Sequence, residues 1–174
     1  RIEKKSKDKT INYDDIKNLT QTISKQVDDI GKLVDEFSSF ARMPEPEIKL
    51  ENLSNTLKES FDLFANAHLN INMKLLLNDK DIFFQFDKFQ ISQVFNNVIK
   101  NAIEAVKNIP NPWIKVSLSE KDKLIIFNVS DNGVGVDEKK ISKLFEPYYT
   151  TKDKGTGLGL SIVKKIVEDH GGKI

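Results

Sequence analysis

The sequence contains no cysteine and only two histidines, His68 and His170, among its 174 residues. The absence of cysteine excludes a disulfide scaffold, a thiol nucleophile and a zinc or iron–sulfur site with cysteine ligands. The two histidines lie far apart in the sequence, so there is no HExxH motif and no cluster of histidine ligands. Thiol chemistry is therefore excluded, and a metal site built on histidine is disfavoured.

An excess of charge of one sign is also missing, since 27 Lys and Arg oppose 26 Asp and Glu and the net charge is +1. This balance is not the basic field typical of nucleic-acid-binding domains, so we expect no nucleic-acid partner. No apolar run reaches the roughly 20 residues of a membrane span. The start, Arg-Ile-Glu-Lys-Lys, does not resemble a signal peptide. We expect one domain of ordinary size with an appendage, taken from a longer protein.

Residues 13–42 carry the pattern of a long amphipathic helix. Apolar side chains recur in steps of three and four, while lysines and aspartates occupy the other side. Such a stripe is typical of a coiled coil or helical bundle and needs a partner helix. Pro44 and Pro46 should end the helix, because proline removes a backbone donor and disfavours helical geometry in the residue before it. The stripe comprises Ile16, Leu19, Ile23, Val27, Ile30, Val34, Phe37 and Ala41.

Beyond the two prolines, where we place a domain boundary, the pattern predicts an α+β domain. Asp87 should cap a helix running to Val106, with Gln90 in the reciprocal position of a capping box. His170 and Gly171 suit the end of a last helix. We further expect strands at 47–52, 114–118 and 124–130, helices at 53–67 and 157–169, and a hairpin of 71–77 and 82–86 around Asn78-Asp79-Lys80.

Asn97 and Asn101 are four residues apart and share one face of the helix after Asp87, with Lys100 and Glu104 beside them. Amide oxygens on a rigid helix suit Mg²⁺, which keeps several waters and shares its other positions with substrate phosphates. Taken alone, however, paired asparagines on a helix are more often part of a solvated face.

A second motif, Asp131-Asn132-Gly133-Val134-Gly135, closes the last predicted strand. A carboxylate here can accept a hydrogen bond from the amino group of adenine, and glycines let the backbone approach a flat base. Taken alone, the same residues are explained as an ordinary Asn-Gly turn.

The third motif, Leu144-Phe145-Glu146-Pro147-Tyr148-Tyr149-Thr150-Thr151-Lys152, places aromatic residues in a polar loop. It fits a mobile segment that folds over a ligand, with Lys152 or Lys154 reaching a phosphate. The alternative is a set of core aromatics.

The fourth motif, Gly155-Thr156-Gly157-Leu158-Gly159-Leu160-Ser161, opens the last helix. Free amides at a helix start bind anions, and glycines allow close approach of a phosphate. The motif is neither a Walker P-loop nor a Rossmann fingerprint, and no HRD segment of a protein kinase follows it.

In this order, the four motifs resemble the N, G1, F and G2 boxes of the GHKL ATPase superfamily, in the version found in sensor histidine kinases, over about residues 46–174. The resemblance implies a two-layer α/β sandwich whose mixed, mostly antiparallel sheet is covered by helices on one face. It also implies ATP and Mg²⁺ as cofactors, with Mg²⁺ on Asn101, adenine on Asp131 and an ATP lid at about residues 136–154. Tyr148 and Tyr149 replace the usual phenylalanines of the F box. The implied ATP-binding residues are Asn97, Lys100, Asn101, Asp131, Gly133, Gly135, Phe145, Thr151, Lys152, Gly155, Thr156, Gly157, Leu158, Gly159 and Leu160.

Asn97 discriminates between branches of the superfamily. Gyrase, Hsp90 and MutL-type members carry at this position a glutamate that activates water. An amide cannot act as that general base, so the γ-phosphate should be kept for another acceptor. The residue favours a protein histidine kinase over a hydrolase that uses ATP to change conformation.

Residues 34–44 resemble the end of the second helix of a dimerisation and histidine-phosphotransfer domain, especially in nitrogen-regulation kinases of the NtrY type. The resemblance implies that residues 1–43 are the C-terminal part of that helical hairpin, with its second helix at about 13–42. Residues 44–174 would then be the catalytic domain without its last strand. It further implies a homodimer, a response-regulator receiver domain as partner, a cytoplasmic location, and a membrane attachment only through an upstream region.

Neither histidine fits the phosphoacceptor, which in that family is followed by an acidic residue and then by Asn-Pro. We interpret His68 as a surface or partly packed residue and His170 as a helix cap. The acceptor is expected upstream of Arg1, so no catalytic residue is assigned within the 174 residues. The alternatives are a GHKL hydrolase and a degenerate module that only dimerises or docks a regulator.

Overall fold

The computed structural model describes residues 13–41, 43–150, 152 and 155–174, and the chain divides into two units, Arg1–Met43 and Pro44–Ile174. In the first unit, helix α1 spans Tyr13–Ala41. This confirms the predicted long helix, while Arg42 lies outside the described residues. Most of the apolar stripe of α1 is exposed, with Ile23 at 54% and Val27 at 61%, and Leu19 is half-buried. Most of the described apolar side chains of this helix therefore face solvent.

The second unit combines helices and strands. None of the described helices is both long and apolar enough to cross a membrane. The elements are β1 (Lys49–Asn52), α2 (Leu53–Ala67), β2 (Asn72–Leu76), β3 (Phe83–Phe86), α3 (Lys88–Val106), β4 (Trp113–Lys121), β5 (Leu124–Asp131), a 3₁₀-helix (Glu138–Lys143) and α4 (Gly159–Asp169).

The strands pair differently from the sequence-based expectation. β3 pairs antiparallel with β1, while β2 lies parallel to β4, which pairs antiparallel with β5. The predicted hairpin of 71–77 and 82–86 is therefore wrong. The start of β3 is bonded to the start of α2: the Leu53 N–H donates to the Ile82 carbonyl at 2.9 Å, and the Ile82 N–H donates to the Ser54 hydroxyl at 3.0 Å. These bonds hold β3 beside β1, and the long crossover that a parallel pair needs then joins β2 to β4.

The core lies between the β2–β4–β5 sheet and the helices. Burial alternates along β4, where Ile114, Val116 and Leu118 are at most 1% exposed. Helix α3 packs against α2, α4, β4 and β5. The rings of Phe95 and Phe127 join α3 to β5 with centroids 4.7 Å apart. This arrangement confirms the predicted α+β class, with helices covering one face of a mixed sheet.

Three segments meet at the start of α3. As predicted, the Asp87 side chain accepts a hydrogen bond from the Gln90 N–H, at 3.0 Å. The reciprocal half of the capping box is wrong, because the Asp87 N–H that Gln90 should accept is donated elsewhere, and the buried Gln90 amide donates to the Pro44 carbonyl at 3.0 Å. The Asp87 N–H donates to His170 Nε2 at 3.1 Å. The second Asp87 oxygen accepts from the Glu47 N–H at 2.8 Å.

Helix α4 begins at Gly159, two residues later than predicted, because Gly157 has a left-handed φ of 72°. The helix ends at His170, whose Nδ1 lies 2.8 Å from the Ile166 carbonyl, and Gly171 follows at φ 75°. This confirms the predicted cap. Because Nε2 of His170 accepts a hydrogen bond, the ring proton is on Nδ1 and is donated to Ile166.

Candidate functional site

The polar residues predicted for one face of α3 lie on a rigid support. Asn97 and Asn101 are half-buried, whereas Lys100 and Glu104 are exposed. Half-burial of both asparagines distinguishes this face from a fully solvated one. The rest of α3 belongs to the core through Val94, Phe95, Ile99, Ala102, Ile103 and Val106.

Asp131 ends β5 on the sheet face that the helices cover, since it lies directly opposite the buried Ile114. One of its carboxylate oxygens accepts from the Gly133 N–H at 2.8 Å, and a carboxylate has lone pairs for further donors. A Cβ on Gly133 would lie 2.7 Å from that of Ala105. Gly133 therefore serves a close approach to α3 as well as a turn, and it brings Asp131 near the asparagine face.

The segment after Gly135 forms a lid-like excursion. Its 3₁₀-helix begins at Asp137, whose side chain accepts from the Lys139 N–H at 3.0 Å. Phe145 and Tyr149 are half-buried, and Tyr148 is 56% exposed. The alternative of core aromatics is therefore not supported, because none of the three rings is fully buried.

Lys152 brings the lid into contact with α3. Its ammonium donates to Oδ1 of Asn101 at 2.9 Å and forms an ion pair with the Glu104 carboxylate. The two ends of this bridge are about fifty residues apart in the sequence. Thr151 and Lys154, also predicted to be near the nucleotide, lie outside the described residues.

The glycine motif fits closely against the lid and α3. A Cβ on Gly157 would lie 2.5 Å from the Tyr148 carbonyl carbon, and the Gly157 carbonyl accepts from the Tyr148 N–H at 3.1 Å. A Cβ on Gly159 would lie 3.6 Å from Oδ1 of Asn97. Hence the glycines place the start of α4 beside the N-terminal asparagine of the α3 face.

The first turn of α4 is suited to an anion. Leu158 is fully buried and fixes this turn in the core, while Thr156 and Leu160 are half-buried. The N-cap residue Leu158 makes no side-chain capping bond. The Leu158 N–H donates to the Thr156 hydroxyl at 3.4 Å, and the amides of the following first turn point along the positive end of the helix dipole.

At the start of α3, Asp87 has a shifted pKa. Burial raises the pKa of its carboxyl group, but hydrogen bonds from the backbone N–H groups of Gln90, Glu47 and Phe89 outweigh burial and hold the pKa below its usual value. The ionised carboxylate therefore stabilises the junction at which α3 starts.

The part of the chain that carries these residues is similar to a known protein family. A family model described as histidine kinase-, DNA gyrase B-, and HSP90-like ATPase matches residues 86–174, about half of the chain. The chain belongs to this ATPase family. The matched range includes the asparagine face, Asp131, the lid and the glycine motif.

Individual proteins that are similar to this chain belong to one group within the ATPase family, the sensor histidine kinases. Nitrogen regulation protein NtrY of Azorhizobium caulinodans is 39% identical over an alignment of 164 residues, which covers 89% of this chain and 21% of that protein. The expected likeness to NtrY-type sensor histidine kinases is thereby confirmed. The chain spans about a fifth to a quarter of the length of the curated relatives it matches.

Solved structures agree with the fold. The catalytic domain of histidine kinase ThkA matches with a TM-score of 0.67 and 36% identity, over 74% of this chain and 86% of that one. ThkA in complex with response regulator protein TrrA matches with a TM-score of 0.73 and 26% identity, over 93% of this chain and 47% of that one.

The donor set fits a magnesium ion that is held mainly by phosphates. Among the described residues there is no cluster of three or more His, Cys, Asp or Glu side chains that could hold a metal. Mg²⁺ needs fewer protein ligands, because phosphates and waters supply the rest. Asn101 and Glu104 already direct two oxygens at the ammonium of Lys152, so this position attracts positive charge.

Two parts of the site were not assigned from the sequence. Glu104 was placed on the asparagine face but was given no role, and its contact with Lys152 has no local signal. Asn132 was interpreted as part of a turn, yet its Oδ1 accepts from the Trp113 N–H at 2.8 Å and its Nδ2 donates to the Asn111 carbonyl at 3.2 Å. It joins the Asp131 loop to the start of β4, a role that an Asn in a polar loop could have suggested.

Proposed function

We propose that residues 44–174 are the ATP-binding catalytic part of a two-component sensor histidine kinase. The observation that carries the proposal is the convergence of Asn97, Asn101, Lys152 and Gly159 at one end of α3, with Asp131 approaching through Gly133. Amide oxygens, an ammonium group and free helix amides are the groups that bind a nucleotide triphosphate and its metal ion.

Asp131 recognises the adenine base in this proposal. Its carboxylate accepts a hydrogen bond from the exocyclic amine, while Gly133 and Gly135 let the backbone lie close to the ring. The hydrogen bond from the Gly133 N–H fixes the orientation of the carboxylate.

The start of α4 and the lid hold the phosphates. Gly155, Gly157 and Gly159 give the phosphates access to the backbone amides, and Thr156, Leu158 and Leu160 shape that turn. Lys152 and Lys100 supply positive charge, Phe145 lines the lid, and Thr151 belongs to the same segment. Asn101 is the residue that would hold Mg²⁺, which would supply positive charge to offset that of the phosphates.

Asn97 supports phosphoryl transfer to another group rather than hydrolysis. Its side chain is an amide beside the phosphate turn, and an amide cannot remove a proton from water. We infer that the γ-phosphate passes to a histidine outside these 174 residues and from there to an aspartate of a response regulator. The similar ThkA structure, solved in complex with a response regulator, supports a partner of this kind.

Residues 1–43 are proposed to be the C-terminal part of the dimerisation and histidine-phosphotransfer hairpin. The exposed apolar stripe of α1 supports a helical-bundle homodimer, because such a stripe is buried only when other helices cover it. We place this part of the protein in the cytoplasm, where ATP is supplied, with any membrane attachment made by the upstream region.

Isothermal titration calorimetry with a non-hydrolysable ATP analogue tests the proposal. We expect Mg²⁺-dependent binding by the intact chain, loss of the Mg²⁺ dependence in Asn101→Ala, and at least tenfold weaker binding in Asp131→Asn, which replaces a pure acceptor by an amide. Asn128→Ala, at an exposed position of β5, is the matched control and should bind normally. An absence of binding, or binding indifferent to Asn101 and Asp131, would refute the proposal.

A further inference from the structure

The contact between the lid and α3 contains a charge that nucleotide binding by itself does not explain. Glu104 lies one turn beyond Asn101, on the same face of α3. Its carboxylate forms an ion pair with Lys152, whose ammonium also contacts the Asn101 amide oxygen at 2.9 Å. A negative side chain beside a site for polyphosphate repels the ligand unless a cation covers it.

Hydrogen bonds to neighbouring residues hold the backbone of Lys152 in the lid. The Lys152 N–H donates to the Thr150 hydroxyl at 3.0 Å, and the Lys152 carbonyl accepts from the Gly155 N–H at 3.3 Å. On the other side of this segment, the Tyr148 N–H is bonded to the Gly157 carbonyl. The lid is therefore attached to the phosphate turn through its backbone, and among the described residues the ammonium of Lys152 joins it to α3.

We propose that Glu104 is a positioning residue, which holds Lys152 on the Asn101 oxygen until a magnesium nucleotide replaces it there. The proposal rests on the proposed function, because the replacement requires Mg²⁺ on Asn101. Two cations on one amide oxygen repel each other, so Lys152 must leave Asn101 when Mg²⁺ arrives. Freed in this way, its ammonium is available to the phosphates.

The exposure of the pair suits such an exchange. The side chains of Lys152 and Glu104 are 42% and 40% exposed, and ion pairs of this exposure contribute little, corresponding to about a two- to fivefold change in an equilibrium. The bond thus favours one lid position without trapping it. A magnesium nucleotide can therefore displace the Lys152 ammonium from Asn101 with little loss of binding affinity.

Hydrogen–deuterium exchange of lid residues 136–150 in the nucleotide-free chain tests the positioning role. Glu104→Gln and Lys152→Met should each speed exchange about two- to fivefold. The double variant should be no faster than either single one, since both remove the same contact. The charge-swapped pair Glu104→Lys with Lys152→Glu should restore slow exchange. Lys143→Met, another exposed lid lysine, is the control and should leave exchange unchanged.

Addition of Mg²⁺ and the ATP analogue tests the exchange step. The difference between the wild type and Glu104→Gln should disappear, because the ligand has already separated the pair. Unchanged lid exchange in Glu104→Gln without nucleotide, additive single effects, or a difference that persists with a bound analogue would each overturn the proposal. If calorimetry shows no analogue binding at all, the proposed function fails and the exchange step fails with it. The nucleotide-free comparison still decides whether Glu104 positions Lys152.

Discussion

Helices α1 and α3 carry the same amphipathic pattern and differ in what covers it. Ile23 and Val27 of α1 are more than half exposed, whereas Ile99 and Val106 of α3 are fully buried. The comparison shows that periodicity identifies the side of a helix that must be covered but does not identify the partner. In α3 the partners are α2, α4 and the sheet, and the polar face is thereby fixed in place for chemistry.

The largest effect is expected from matched truncations in the two helices. Ile99→Ala should destabilise the second unit by about 2–5 kcal/mol, because it leaves a cavity in the core. Ile23→Ala in α1 should leave the stability of the second unit unchanged. The single tryptophan, Trp113, lies in β4, so its fluorescence during urea unfolding reports on the second unit alone. An equal loss of stability in both variants would contradict the contrast between α1 and α3.

A second effect concerns how α3 is held at its start. Asp87→Ala should cost about 1–2 kcal/mol, because the cap of α3 and the bond from the Glu47 N–H are both lost. Since the pKa of Asp87 is lower in the folded protein than in the unfolded chain, its ionised form stabilises the fold above about pH 4. That stabilisation disappears as the pH falls below this value through the lowered pKa.

Urea unfolding at pH 3 and at pH 6 measures this dependence. The difference in stability between wild type and Asp87→Ala should be large at pH 6 and should shrink at pH 3. Asp62→Ala provides a control, since the exposed pair of Asp62 with Lys58 contributes under about 1 kcal/mol. A difference that grows on acidification would contradict the assigned direction of the pKa shift.

A smaller effect is expected from the histidine that joins α4 to α3. His170→Ala removes the acceptor of the Asp87 N–H and the donor to the Ile166 carbonyl, and a typical hydrogen bond contributes about 1 kcal/mol. We expect a loss of about 1 kcal/mol in the unfolding of the second unit. His68→Ala is the matched control and should change stability by under about 0.5 kcal/mol. If both variants behave alike, the bond at Asp87 does not secure α3.

Several parts of the fold and of the candidate site could be predicted from short stretches of sequence. The cap at Asp87, the asparagine face of α3 and the glycines at the start of α4 follow from residue types at fixed spacing, and the structure has them where the sequence indicated. The pairing of β3 could not be found in this way. It depends on the hydrogen bonds that join Ile82 to Leu53 and Ser54, and these residues are distant from Ile82 in the sequence.

The same limit applies within the candidate site. Lys152 was predicted to reach a phosphate, and its contact with Asn101 and Glu104 joins residues about fifty positions apart. Gln90 likewise has the residue type to accept the Asp87 N–H, but that N–H donates to His170 and Gln90 donates to Pro44. Residue type and spacing therefore identify what a side chain is able to bond, while the fold decides which of the competing partners is nearest.

The smallest effect on the second unit is expected from the stripe of α1 itself. Val27→Asn with Val34→Asn should leave the Trp113 unfolding midpoint unchanged, because both valines are exposed. It should abolish any rise of helix content with protein concentration, measured by circular dichroism, because an uncovered helix gains stability mainly by association. Lys17→Asn with Lys25→Asn alters the polar side and should retain the wild-type response. A lower Trp113 midpoint in the valine variant alone would show that the stripe is covered by the second unit, and the contrast between α1 and α3 would then disappear.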